Sequence, residues 1–273
     1  MTTSAITTDV ERLKARLKMI WMAGDYDIFS RYLEDSAREF YKRLPVSPGG
    51  TLLDVGCGSG QLALMAAKDG LEVTGVDIAT NLVERARARA KAAGLRVRFE
   101  EGDAEALPFA DAQFDAVTSL IGAMFAPRPD LVAAELLRVC KPGGIIAMAN
   151  WTPQGFVGQL FKAVSKFIAP SGMPSPVLWG DEPTVRGRFG QGLSDLRLIR
   201  RHYTFSYSFP PAAVVELFRL YYGPIHQAFA ALDADGRNTL RAELEALWAA
   251  HNRAGIDSTT VYAEYLEVIG VRT

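Results

Sequence analysis

The segment Leu53-Asp54-Val55-Gly56-Cys57-Gly58-Ser59-Gly60 constrains this chain more than any other. A short apolar run of the buried-strand kind enters a glycine turn, and residues 61–68 then read as a helix that Gly70 stops. A strand that turns directly into a helix is half of a crossover unit, so a parallel partner strand has to follow. The chain supplies several. Residues 71–77 read as a second strand, 81–93 as a helix ended by Gly94, and 95–101 as a third strand. Residues 114–120, 131–140 and 145–151 continue as strand, helix and strand. This alternation predicts an α/β fold of Rossmann-like type, a mainly parallel sheet with helices on both faces.

The flanks differ in texture. Val10, Leu13, Leu17, Ile20 and Trp21 fall at helical spacing behind a Thr8-x-x-Glu11 capping box. A second helical stripe runs over 28–44, with Pro45 ending it. Beyond Trp151 we expect a helix over 155–168, a Pro/Ser/Gly-rich loop over 169–182, and a long strand over 196–209. Helices over 212–231 and 239–252 and a closing strand over 261–271 complete the reading. Three regions result: an N-terminal helical cap (1–49), a core (50–152), and insertions at 153–190 and 210–255 around the last two strands (153–273).

Composition excludes several classes. With 273 residues and 49% hydrophobic content the chain can bury a core unaided, and disorder is excluded. Lys+Arg of 30 against Asp+Glu of 31 gives a net charge of −1, which argues against a nucleic-acid partner. Arg85, Arg87, Arg89, Lys91, Arg96 and Arg98 read as a solvated helix face, since no aromatic platform interleaves with them. Two cysteines and three histidines leave little for a transition-metal site, and no metal is expected. Asp233-Ala-Asp235-Gly236 is a helix-connecting turn and not a calcium loop, because its glycine comes too early. The N-terminus lacks an apolar core of signal-peptide type, so a cytoplasmic, reduced setting is expected. From Pro142 to Gly180 the sole charges are Lys162 and Lys166. That stretch is no membrane span, because Asn150, Pro153, Gln154 and several glycines interrupt it.

The glycine turn discriminates between ligands. A dinucleotide fingerprint wants glycine three beyond the second one, and Gln61 stands there. No Gly-Lys-Ser/Thr follows, so it is not a phosphate-binding Walker loop. Asp77 ends the second strand, where a carboxylate can accept from both ribose hydroxyls or cap the following helix. Asp103, in Gly102-Asp103-Ala104 after the third strand, suits an adenine amino group or a simple turn. LLDVGCGSG (52–60), VTGVD (73–77), GDAEALPF (102–109), FDAV (114–117) and LLRVCKPGG (136–144) together resemble the class I S-adenosylmethionine-dependent methyltransferases, more closely their type 11 group.

The resemblance implies a seven-stranded sheet with an antiparallel last strand, S-adenosyl-L-methionine as cofactor and S-adenosyl-L-homocysteine as product. It implies that Asp54, Gly56, Cys57, Gly58 and Gly60 line the methionine part, that Asp77 holds the ribose, and that Ile78 packs on adenine. Asp103 and Ala104 would contact the adenine edge and Ser119 the sulfonium side, with Trp21 and Tyr26 covering the cofactor. The segment after the fourth strand, Ser119-Leu120-Ile121-Gly122, lacks the motifs of amino-group nucleic-acid and cytosine-C5 methylation. Asn150-Trp151 lacks the carboxylates of metal-dependent catechol methylation, and two cysteines are too few for arsenic methylation. A small, apolar or aromatic metabolite is left as acceptor, handled by a monomer or homodimer. Trp151, Phe156, Trp179, Phe218, Tyr221 and Tyr222 are its candidate lining, and His226 is the candidate base. The rival readings are a non-catalytic S-adenosylhomocysteine-binding relic and an NAD-dependent oxidoreductase.

Overall fold

The computed structural model describes residues 3–168 and 172–273, with side chains from residue 9 onward. Three helices come first: α1 (Thr3–Met22), α2 (Tyr26–Arg31) and α3 (Glu34–Lys42). The core follows as β1 (Thr51–Val55), α4 (Gln61–Lys68), β2 (Glu72–Asp77), α5 (Thr80–Ala92), β3 (Val97–Glu101), β4 (Phe114–Leu120), α6 (Pro129–Val139) and β5 (Cys140–Trp151). Then come α7 (Phe156–Ser165), α8 (Glu182–Phe189), β6 (Leu193–Tyr207), α9 (Pro211–Tyr221), α10 (Gly223–Ala230), α11 (Ala234–His251) and β7 (Thr259–Arg272).

The strands form one sheet in the order β3-β2-β1-β4-β5-β7-β6. β1, β2, β3, β4 and β5 pair in parallel, and β7 runs antiparallel to both β5 and β6. The expected seven-stranded sheet with its last strand reversed is therefore present. The order reverses at β1, whose neighbours β2 and β4 feed helices to opposite faces, leaving a crevice at the strand ends. The outer edge of β6 is partly covered, since the Thr204 N–H donates to Ser36 Oγ on α3 (3.0 Å). Among the described residues no helix is long and apolar enough to cross a membrane.

Several expectations need correction. The Thr8-x-x-Glu11 pattern lies inside α1, because the helix already begins at Thr3. The stripe over 28–44 is two helices, and their junction lets the Leu33 carbonyl accept from the Tyr203 hydroxyl (2.7 Å) as well as from the Ala37 N–H. The expected loop over 169–182 partly falls outside the described residues, and its end carries a 3-10 turn at Pro176–Gly180. Helix α8 follows it, capped by Asp181 accepting from the Thr184 N–H (3.1 Å). The single helix expected over 212–231 breaks at Tyr222, which is extended (φ −92°, ψ 107°). Pro224 explains the break: it has no N–H to donate and its ring crowds the preceding turn. Asp233 caps α11 by accepting from the Gly236 N–H (2.8 Å), as a helix-connecting turn should. Part of the basic run also holds the fold together. Arg87 donates to the Phe99 carbonyl (Nε, 3.1 Å), and Arg89 donates to the Ser59 carbonyl (3.2 Å) and hydroxyl (3.1 Å).

Candidate active site

The crevice beside β1 opens into a cleft of about 1020 Å³, counting the space that reaches solvent. Its floor is the glycine turn. Gly56 sits at φ +70° against Gly122, where a Cβ would stand 2.6 Å from the Gly122 Cα, so the two loop backbones touch only because neither carries a side chain. Gly60 is left-handed too (φ +84°), and a Cβ there would strike the Phe99 ring at 2.9 Å. Gly60 thus permits packing of the turn on β3 and does not line the cleft, contrary to the expected ligand contact.

Asp77 joins two parts of the site. One carboxylate oxygen accepts from the Gly58 N–H and the other from the Ala79 N–H, both at 2.8 Å. The second bond is the local turn that the capping reading foresaw; the first ties the glycine turn to the end of β2. Burial holds its pKa above the usual carboxylate range despite these bonds. Asp54 is buried at the foot of the cleft, and burial, reinforced by Asp77, pushes it up to about 7 against a hydrogen bond from the Ala63 backbone. Neither carboxylate has an ion-pair partner among the described residues.

Gly56, Cys57, Gly58, Ile78, Ala104, Trp21 and Tyr26 also line the cleft, as expected. Burial raises the Cys57 thiol well above its usual range, so it is a small inert side chain. Asp103 faces the cleft but is already engaged: one oxygen accepts from the Glu105 N–H (2.9 Å) and the other pairs with Lys14 of α1 (2.5 Å). Lys14 also reaches buried Glu105 (2.5 Å), so α1 is latched across the cleft. Lys14 was not foreseen, because a lysine on an amphipathic helix carries no sequence signal of its own. Ser119 is corrected: its hydroxyl donates to the Val55 carbonyl (2.7 Å) and accepts from the Ala123 N–H (2.8 Å), closing the turn after β4 away from the cleft.

That turn holds Ile121 at φ +55°, a conformation costing a β-branched residue about 1–2 kcal/mol. The Ile121 N–H bonds to the Ala149 carbonyl (3.0 Å) and the Gly56–Gly122 contact locks the next residue. Strained Ile121 lines both the cleft and a second cavity of about 590 Å³ behind it. Trp21, Tyr26, Gln61, Leu120 and Phe125 are shared by the two cavities as well.

The second cavity is an aromatic chamber. Trp151 and Phe156 line it with Phe218 and Tyr222, four of the six expected acceptor-pocket residues. Phe29, Tyr203 and Phe205 join them from α2 and β6. Rings pack closely: Trp21 on Phe125 (4.8 Å between centroids), Phe29 on Phe218 (4.8 Å) and on Tyr222 (5.0 Å). Trp179 and Tyr221 are corrected. Trp179 lies buried under the Arg188 guanidinium (4.5 Å) and beside Phe189, outside both cavities. Tyr221 lines neither cavity, and Gly24 packs so close to its carbonyl that a Cβ would stand 2.8 Å away.

His226 is also corrected. In one continuous helix, residues 218, 222 and 226 would share a face at steps of four. The break at Tyr222 turns α10, and His226 instead borders a surface groove with Arg219, Arg237 and Arg241. Its Nδ1 is 3.0 Å from the Arg219 carbonyl. Among the described residues no group of three or more His, Cys, Asp or Glu is placed to hold a metal ion.

Comparison with known proteins gives consistent findings. Residues 53–148 match the family described as a methyltransferase domain. Uncharacterized protein Rv1403c of Mycobacterium tuberculosis is 38% identical over 253 residues, covering 90% of this chain and 92% of its own length. Methyltransferase GfsG of Streptomyces halstedii is 39% identical over 134 residues, 48% of each chain. The crystal structure of the YcgJ protein from Bacillus subtilis superposes with a TM-score of 0.61 at 20% identity, covering 87% of this chain and 98% of that one.

Proposed function

Because the chain belongs to the class I S-adenosylmethionine-dependent methyltransferases, we propose that it transfers a methyl group from S-adenosyl-L-methionine to a small apolar or aromatic acceptor held in the aromatic chamber. The observation that carries this reading is the adjacency of two unlike cavities across one strained turn. A cleft holding two carboxylates without cation partners meets a chamber walled by rings, and Ile121 borders both.

The residues of the cleft fit the cofactor. Buried Asp54 lacks a cation and suits an ammonium group, and Asp77 offers two acceptor oxygens to vicinal hydroxyls. Ile78 and Ala104 give the apolar contact an adenine ring needs, and Lys14 secures α1 over them. When bound, the cofactor supplies an electrophilic methyl group on a sulfonium. The chain's own contribution is positioning: the chamber walls orient the acceptor, and Trp21, Tyr26 and Phe125 keep water from the junction.

Calorimetry tests the assignment. S-adenosylhomocysteine should bind and NADH should not; NADH binding alone would restore the oxidoreductase reading. With S-adenosyl-L-methionine supplied, a screen of aromatic and apolar hydroxyl compounds should give turnover, and its failure across a wide set would point to the non-catalytic relic. His226→Ala should leave the transfer rate within about twofold of the parent, because the imidazole faces neither cavity. A loss of two orders of magnitude would return His226 to the site.

A further inference from the structure

The chamber is unusual in what it lacks. None of its lining residues is Asp, Glu, Lys, Arg, His or Cys. Two of its polar side chains are committed to the backbone: the Tyr203 hydroxyl donates to the Leu33 carbonyl (2.7 Å) and the Gln61 amide donates to the Ser30 carbonyl. The hydroxyls of Tyr26 and Tyr222 have no hydrogen-bonding partner among the described residues. Their rings are neighbours, 6.4 Å between centroids, and Tyr26 stands at the boundary of cleft and chamber. Both hydroxyls open onto cavity space and no protein group claims them, so both are available to donate to a polar ligand in the chamber.

Resting on the methyltransferase reading, we propose that the acceptor enters the chamber already deprotonated, as the oxyanion of an acidic phenol or enol, and that Tyr26 and Tyr222 donate their hydrogen bonds to that oxygen. The lining contains no base to remove a proton, so the proton passes to water before entry. Burial lifts both phenols above their usual range, with Asp77 adding to the effect at Tyr26, so each stays a neutral donor. Two donors suit an oxyanion, which keeps a lone pair free for attack after accepting both. A neutral amine would surrender its single lone pair, and sulfur is a weak acceptor.

In the transfer step an oxygen lone pair forms the C–O bond as the S–C bond breaks, with its electron pair going to sulfur. An anion and a sulfonium become an ether and a thioether, and no proton moves. Opposite charges that cancel along the reaction are favoured by walls that exclude water, as aromatic rings do here.

The test reads ionisation of a bound dye and not turnover. The full-length protein is loaded with sinefungin, whose cationic amine replaces the sulfonium, and titrated with 4-nitrophenol or 4-nitro-1-naphthol, whose anions are coloured. Both dyes should bind as anions at a pH where most of the free dye is neutral. Tyr222→Phe and Tyr26→Phe should each raise the bound midpoint by about one pH unit, the scale of a hydrogen bond to a charged group. Binding of the neutral dye, an unmoved midpoint in both variants, or no dye binding would overturn the proposal. Sinefungin binding, followed separately by calorimetry, should persist in Tyr222→Phe and shows that this variant is folded. If sinefungin fails to bind the parent, the methyltransferase reading itself falls; if it binds and the dye result fails, the oxyanion alone is lost.

Discussion

Asp77→Ala should weaken S-adenosylhomocysteine binding by about 1–3 kcal/mol, roughly 5- to 150-fold in Kd. Two losses combine. The substitution removes both acceptor oxygens at the end of β2, and it frees the Gly58 N–H from its 2.8 Å bond, so the glycine turn loses its tie to the strand. Asp77→Asn separates the two effects. It keeps one oxygen, so it should hold part of the affinity and lie between parent and alanine variant. Unfolding does not account for the loss: burial already makes the charged form costly, and two unpaired backbone N–H groups in a chain of 273 residues should shift Tm by a few degrees only. Calorimetry gives the affinity and a thermal melt the stability. An alanine variant that binds as the parent does would remove Asp77 from the cofactor site.

The cleft was mostly legible in sequence and the chamber only in part, for a physical reason. Asp54, Gly56, Gly58 and Asp77 act where their own strand ends, so local spacing places them. The chamber is assembled from α1, α2, β6, α7 and α9, elements far apart in the chain. An aromatic residue at helical or strand spacing reads as core whether it faces a cavity or not, so Phe29, Tyr203 and Phe205 gave no signal. The charge-poor stretch from Pro142 to Gly180 divides accordingly. Its strand ends in Trp151 and its helix α7 turns Phe156, Val157 and Leu160 to the chamber, while Trp179 packs away from it. A single helix over 212–231 does not form: the break at Tyr222 turns α10, and His226 borders the surface groove instead.

Asp54 should make the ligand-free protein less stable as pH rises from about 4 to 7. Its folded pKa of about 7 lies above the unfolded value near 4, so within that window the folded chain holds a proton that the unfolded chain has released. Stability therefore falls with rising pH and levels off above 7, by an amount on the order of 4 kcal/mol for this group. Half-buried Asp77, also raised, acts in the same direction. Asp54→Asn keeps the size of the side chain and a carbonyl for the Ala63 N–H but cannot ionise, so it should flatten denaturant midpoints across this window and stabilise the ligand-free protein at pH 8. The cofactor reverses the sign. A cation beside Asp54 favours its charged form, so S-adenosylhomocysteine should bind more tightly as pH rises through 7, and the asparagine variant should lose that dependence together with affinity. A variant that is stabilised yet binds with the parent's pH profile would mean that Asp54 does not meet the cofactor's ammonium group.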